Sequence, residues 1–305
     1  MKKLWIGIIF VVLLIWAISA VISAMLNPEN SSPPVVAESE PPRDFKLVME
    51  VLDRNPSPGI RSASAIVVDL ADGRVLLSKN ESEIRPIASL TKLATALVFL
   101  KTSPNFFQTM TVTREDKEGA GRSRLYTGET VTLNDLFHLM LICSDNVAAR
   151  VIGRSSGLFP EKFVGRMNEF ASSLDLEQTH FADPTGLDPG NVSTAAECSI
   201  IFKTALEDGL IREVMSKRSY SFKPINGKRI YMIHNTNRML FGRDDIICGK
   251  TGYISESGYC LALGVECEGG RELAAVVLGA PTSGTRFRDA ARLLTSINAS
   301  SRAAD

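Results

Sequence analysis

Strand-forming segments lie at the two ends of this chain and helical ones fill its middle, an order that limits the fold more than any other feature. Ala63 to Asp69 is a β-rich run, Asp72-Gly73 is a turn signal, and Arg74 to Leu77 resumes the strand pattern. Gly258 to Val265 and Glu272 to Leu278 are apolar strands joined through Glu268-Gly269-Gly270. Helical patterns occupy Ser89 to Leu100, Leu133 to Ile142 and Glu161 to Leu174, with a last helix over about Thr285 to Ile297. The end strands must pair to close a core, which predicts one antiparallel sheet built from distant segments and a helical lobe on one side. A cleft between the two parts is the expected place for a substrate.

The first 26 residues follow another logic. Lys2 and Lys3 precede an uncharged apolar run from Leu4 to Leu26, long enough to meet the roughly 20 residues a spanning helix needs. A cleavable signal needs only about 7–15 apolar residues, so an uncleaved anchor is the reading adopted, although Ser23 and Ala24 are small enough for cleavage. Charge before the run and Glu29 after it place Met1 in the cytoplasm and the remainder outside. Residues 27–43 carry Pro28, Pro33, Pro34, Pro41 and Pro42 among polar residues, a linker composition that cannot bury a core. Residues 44–305 are left as one catalytic domain.

Lys and Arg together number 34, and so do Asp and Glu, with no basic block, so nucleic acid is not an expected partner. Five cysteines (Cys143, Cys198, Cys248, Cys260, Cys267) give no metal spacing, and they read as small apolar residues. No metal, nucleotide or flavin signature occurs, and no cofactor is expected.

Three short motifs carry the chemistry. In Ser89-Leu90-Thr91-Lys92 the serine and lysine stand one helical turn apart on one face, so the amine reaches the hydroxyl. A lysine acts as base toward a serine when burial lowers its pKa, and Leu93, Ala94, Ala96, Leu97 and Leu100 supply the burial. In Ser144-Asp145-Asn146, Ser144 can relay a proton to a departing amine and Asn146 can bond a substrate amide. The plainer reading makes Ser144 and Asp145 caps for a helix beginning at Val147. Lys250-Thr251-Gly252 precedes Tyr253 on an expected edge strand. There a cation and a hydroxyl suit a terminal carboxylate, and Gly252 lets a substrate backbone approach. Each motif alone is weak; their order and setting are specific.

With these motifs the sequence resembles the low-molecular-weight penicillin-binding proteins, the serine D-alanyl-D-alanine carboxypeptidases and related endopeptidases, from about residue 60 to 296. Arg122-Ser123-Arg124-Leu125, Asp183-Pro184-Thr185-Gly186-Leu187 through Val192-Ser193-Thr194-Ala195, and Asn235-Thr236-Asn237 belong to the same likeness. The resemblance implies an α/β (α+β) β-lactamase/transpeptidase-like fold: a five-stranded antiparallel sheet flanked by helices plus an all-α lobe. It implies Ser89 as acylated nucleophile, Lys92 as base, and Ser144 and Asn146 beside the leaving group. It further implies Lys250 and Thr251 on the carboxylate, the backbone N–H groups of Ser89 and Tyr253 as oxyanion hole, and Arg286 as a further carboxylate ligand. The implied substrate is a peptidoglycan stem peptide ending in D-Ala-D-Ala, with β-lactams as covalent inhibitors and the inner membrane as anchor for a periplasmic domain. Tyr253 stands where the family often has histidine, and Asp145 where it often has glycine or glutamate. The β-rich second domain of many family members has no counterpart here, which leaves anchoring to the N-terminus.

Other functions fit less well. A class A β-lactamase needs a Glu-x-x-Leu-Asn string that none of Glu161, Glu169 and Glu177 begins. A Ser-His-Asp hydrolase has only His138, His180 and His234 to draw on. A wall-binding module without turnover conflicts with the intact Ser89, Lys92, Ser144 and Lys250. Within the favoured class, cleavage of a D-alanine cross-link is the alternative to release of D-alanine.

Overall fold

The first and last strands of the described chain lie side by side in a single sheet, as the strand-helix-strand order requires. The computed structural model describes residues 59–302 apart from Arg122 and Phe159. The expected anchor at 1–26 and the linker at 27–43 lie outside the described residues; among those described, no helix is long and apolar enough to cross a membrane.

In chain order, β1 (Ser64–Asp69) and β2 (Val75–Lys79) form a hairpin, and β3 (Arg85–Pro86) follows. The middle then contains α1 (Thr91–Leu100), β4 (Thr109–Thr111), α2 (Arg114–Lys117), β5 (Thr130–Thr132), α3 (Leu133–Ile142), α4 (Asn146–Ser155) and α5 (Pro160–Ser173). After β6 (Val192–Ser193) come α6 (Ala195–Glu207) and α7 (Gly209–Ser216). The chain returns to strands with β7 (Ser219–Phe222), β8 (Tyr231–His234), β9 (Ile246–Ile254), β10 (Gly258–Glu266) and β11 (Glu272–Ala280), and closes on α8 (Ser283–Arg302).

The main sheet has the order β2-β1-β11-β10-β9, with antiparallel pairing throughout. Ser64 pairs with Leu278 and Lys250 with Ala262, so the third motif is part of the sheet, whereas the first lies on the turn and helix that follow β3. Every residue of β1 is buried because both faces of the sheet are covered. Ile66, Val68, Val276 and Leu278 join the core of the helical lobe, whereas Ala65, Val67, Ala275 and Val277 pack with Leu293 and Leu294 of α8. This double covering turns the expected alternation into unbroken apolar runs. Strand β9 is at the edge of the sheet, as expected for the third motif.

Helix α1 runs through the helical lobe with Leu93, Ala94, Ala96, Leu97 and Phe99 buried, and it has almost no solvent face. Thr132 and Asp135 complete the capping box that opens α3. Two details depart from the sequence reading. The helix expected from Ser89 begins as a 3-10 turn, Ala88–Leu90, and turns α-helical only at Thr91. Its cause is Ala88, held at a left-handed φ of 48°. The hairpin β7–β8 was also not expected; its alternating buried and exposed residues are short and rich in Ser and Tyr.

Asp289 of α8 ties the start of the domain to its end. Its fully buried Oδ2 accepts from the backbone N–H of Arg61 and Ser62 and from the Ser62 hydroxyl, at 3.0, 2.8 and 2.6 Å. Asp289→Ala strands these donors and is expected to cost about 2–3 kcal/mol, read as a lower urea midpoint at unchanged slope.

Candidate active site

Residues from three distant segments converge on one nitrogen. Lys92 is fully buried, and its Nζ lies 2.9 Å from Ser89 Oγ, 2.7 Å from Asn146 Oδ1 and 2.6 Å from the Thr185 carbonyl. Burial lowers the Lys92 pKa to about 7, against the opposing pull of Asp183 and Asp145. The amine is therefore available as a base near neutral pH, as the first motif requires. Ser89 itself is half-buried and open to a cleft.

The turn that carries Ser89 is fastened from outside. Ile87 N–H donates to Asn191 O at 3.0 Å, and Gly186 packs so closely that a Cβ there would sit 2.0 Å from Ala88 O. Gly186 also has a left-handed φ of 79°. Asp183 organises this loop: its carboxylate accepts from the N–H groups of Thr185 and Gly186, the Thr185 hydroxyl and the Asn191 amide. The Thr185 carbonyl is thereby aimed at Lys92. The sequence reading placed this stretch only by family likeness; its local signal is Asp-Pro-Thr-Gly, an aspartate that can fold back on its own backbone.

The second motif lies where α3 gives way to α4. Ser144 has a left-handed φ of 62°, a strained setting for a residue with a side chain. Its hydroxyl accepts from Lys250 Nζ at 2.7 Å, which joins the second motif to the third. Asp145 caps α4, accepting from Ala148 N–H at 3.0 Å, and also takes the Ser123 hydroxyl at 2.8 Å and Arg124 N–H at 2.9 Å. The capping reading holds for Asp145. Asn146 Nδ2 donates to Ala120 O at 2.9 Å, so this residue clamps Lys92 to the neighbouring loop.

On β9, Lys250 is fully buried, and its pKa is held well below the usual lysine range, first by burial and then by Lys92. Thr251 Oγ1 donates to Thr236 Oγ1 at 2.7 Å, within the Asn235-Thr236-Asn237 stretch that the sequence reading had only by family likeness. A Cβ on Gly252 would lie 3.0 Å from Ser89 N, so β9 and the serine turn are in direct contact. The Tyr253 side chain is 53% exposed and stacks on Tyr259 with ring centroids 4.2 Å apart. Arg286 Nη1 donates to the carbonyls of Gly252 and Cys260 at 2.9 and 3.3 Å, while its buried Nε has no hydrogen-bond partner among the described residues.

The remaining candidates are structural. His138 stacks on Tyr220 at 4.0 Å and its Nδ1 lies 2.8 Å from Asn134 O. All five cysteines are unpaired; burial pushes the Cys143 thiol up to about 12, so it stays protonated beside Ser144. Among the described residues no group of His, Cys, Asp or Glu could hold a metal ion.

The five-stranded sheet with its helices and the Ser89–Lys92 pair define the class: a serine hydrolase on an α/β transpeptidase-like fold. The family described as D-alanyl-D-alanine carboxypeptidase matches residues 52–282, and the chain belongs to that family. The D-alanyl-D-alanine endopeptidase of Haemophilus influenzae is 35% identical over 223 residues, covering 71% of this chain and 74% of the relative. The enzyme of the same name from Escherichia coli is 32% identical over 244 residues, covering 78% and 77%. The crystal structure of the Streptomyces K15 DD-transpeptidase superposes with a TM-score of 0.75 at 25% identity, covering 81% of this chain and 99% of that one.

Gly186→Ala would force both a left-handed alanine and a clash with the serine turn. It is expected to cost at least about 1–3 kcal/mol, seen as a lower melting temperature in calorimetry.

Proposed function

We propose that this chain hydrolyses the D-Ala-D-Ala end of peptidoglycan stem peptides as a serine carboxypeptidase, through an acyl-enzyme on Ser89. The observation that carries the reading is the buried Lys92 amine, 2.9 Å from the Ser89 hydroxyl and with its pKa lowered to about 7. Neutral Lys92 donates its two hydrogens to Asn146 Oδ1 and Thr185 O, and its lone pair takes the Ser89 proton. Ser89 Oγ then bonds to the carbonyl carbon of the penultimate D-alanine, and its C–N bond breaks. The proton on Lys92 passes through the Ser144 hydroxyl to the departing amine. Water adds to the ester, yields a proton to Lys92, and releases the shortened peptide with Ser89 restored.

The other motif residues serve binding. Lys250 and Thr251 receive the terminal carboxylate, which supplies the counter-charge that buried Lys250 lacks. The substrate backbone runs along the open edge of β9 past Gly252, in the manner of an added strand. The N–H groups of Ser89 and Tyr253 hold the developing oxyanion. A β-lactam acylates the same serine. Residues 1–26 tether the domain to the inner membrane, 27–43 are the linker, and 44–305 work in the periplasm.

A second reading, endopeptidase cleavage of D-alanine cross-links, is favoured by the names of the Haemophilus influenzae and Escherichia coli relatives, each matched over about three-quarters of its length. Full-length protein in detergent, incubated with uncross-linked pentapeptide monomers and with cross-linked dimers, separates the two by the products released.

Ser89→Ala is expected to abolish both hydrolysis and covalent labelling by a fluorescent penicillin; either activity persisting would reassign the nucleophile. Because only the neutral amine accepts a proton, the acylation rate should rise about tenfold per pH unit below about 7 and level off above it. A flat stopped-flow profile from pH 5 to 8 would remove Lys92 from the role of base.

A further inference from the structure

A cavity of about 680 Å³ opens beside the carboxylate end of the cleft, a size that suits a drug-sized ligand and is several times what one D-alanine fills. Its lining includes Lys117, Ser123, Arg124, Cys143, His234 and Thr236. Thr236 is bonded to Thr251, and Cys143 directly precedes Ser144, which is bonded to Lys250. The cavity therefore continues the cleft on the side where the leaving amine departs, beyond the position of its carboxylate.

The charges in this cavity are not equivalent. The Asp145 carboxylate is buried and saturated by the Ser123 hydroxyl and the N–H groups of Arg124 and Ala148. The Lys117 amine donates to Leu125 O and lies 5.5 Å from the centre of the Tyr126 ring. Both contacts fix the loop from Ser123 to Leu125. Arg124 is exposed on that loop, its backbone is pinned by Asp145, and its guanidinium has no carboxylate partner among the described residues. A fixed backbone under an unclaimed, planar cation is suited to a carboxylate on an incoming chain. Free D-alanine has one carboxylate, and Lys250 with Thr251 already claims it.

We propose that this cavity is the subsite for the acceptor stem of a cross-linked peptide, and that Arg124 is the specificity-determining residue that binds a carboxylate of that stem. The inference rests on the DD-peptidase reading and turns it toward cross-link cleavage. Asp145 acts through Arg124, as the residue that positions its loop.

The test uses full-length protein in detergent, wild type against Arg124→Gln and Arg124→Lys. Three substrates are compared: a pentapeptide monomer, a cross-linked dimer, and the same dimer with every acceptor-stem carboxylate amidated except the one beside the scissile nitrogen. Arg124→Gln is expected to lower the dimer-to-monomer ratio of kcat/KM by about tenfold or more, the loss of one hydrogen-bonded charge contact, with Arg124→Lys between it and wild type. With the amidated dimer, wild type and Arg124→Gln should be alike. An unchanged ratio overturns the proposal, as does an equal fall for both substrates accompanied by slower penicillin acylation, which would mark a structural role. Wild-type protein that cleaves the monomer and spares the dimer overturns the subsite and leaves the DD-peptidase reading standing. Failure to acylate penicillin or cleave any substrate overturns both.

Discussion

The buried amine of Lys92 is the constraint on which the rest of the site depends. A lysine with no exposure to water is costly unless each hydrogen finds an oxygen, and here Ser89, Asn146 and Thr185 supply them. These partners stand 3, 54 and 93 residues away in the chain, so the amine is satisfied only when the lobe is assembled. The environment that lowers the Lys92 pKa therefore exists only in the assembled lobe. Asp183 and Asp145 each serve this arrangement at one remove, by fixing the loops on either side of it.

Two of the five left-handed non-glycine residues among those described fall at the same place. Ala88 and Ser144 both take left-handed backbone conformations, and each directly precedes a residue of a catalytic motif or belongs to one. Packing imposes these conformations: Gly186 presses on Ala88, and Asp145 with Asn146 anchors the chain just after Ser144. The 3-10 turn at Ala88–Leu90 follows from this pressure and turns the Ser89 hydroxyl toward Lys92.

Much of this was legible in the sequence because it was local. The bounds of α3 follow from the Thr132–Asp135 box and its apolar run, and the edge position of β9 from a polar Lys-Thr-Gly strand beside an apolar hairpin. What escaped depends on long-range contact. Thr236 entered only within the Asn235-Thr236-Asn237 likeness, and its bond to Thr251 forms only once β8 and β9 are placed. Arg286 entered by likeness alone, and only the fold shows its Nη1 on the carbonyls of Gly252 and Cys260. The hairpin β7–β8 has too few apolar residues to stand out in a sequence window.

The left-handed turn at Ser144 narrows what evolution can write there. Threonine would preserve a hydroxyl within reach of Lys250, but its branched Cβ is poorly tolerated at positive φ. Glycine would relax the backbone and remove the oxygen. Backbone geometry and the bond from Lys250 together favour serine, a small side chain that carries an oxygen, so this residue answers two demands at once.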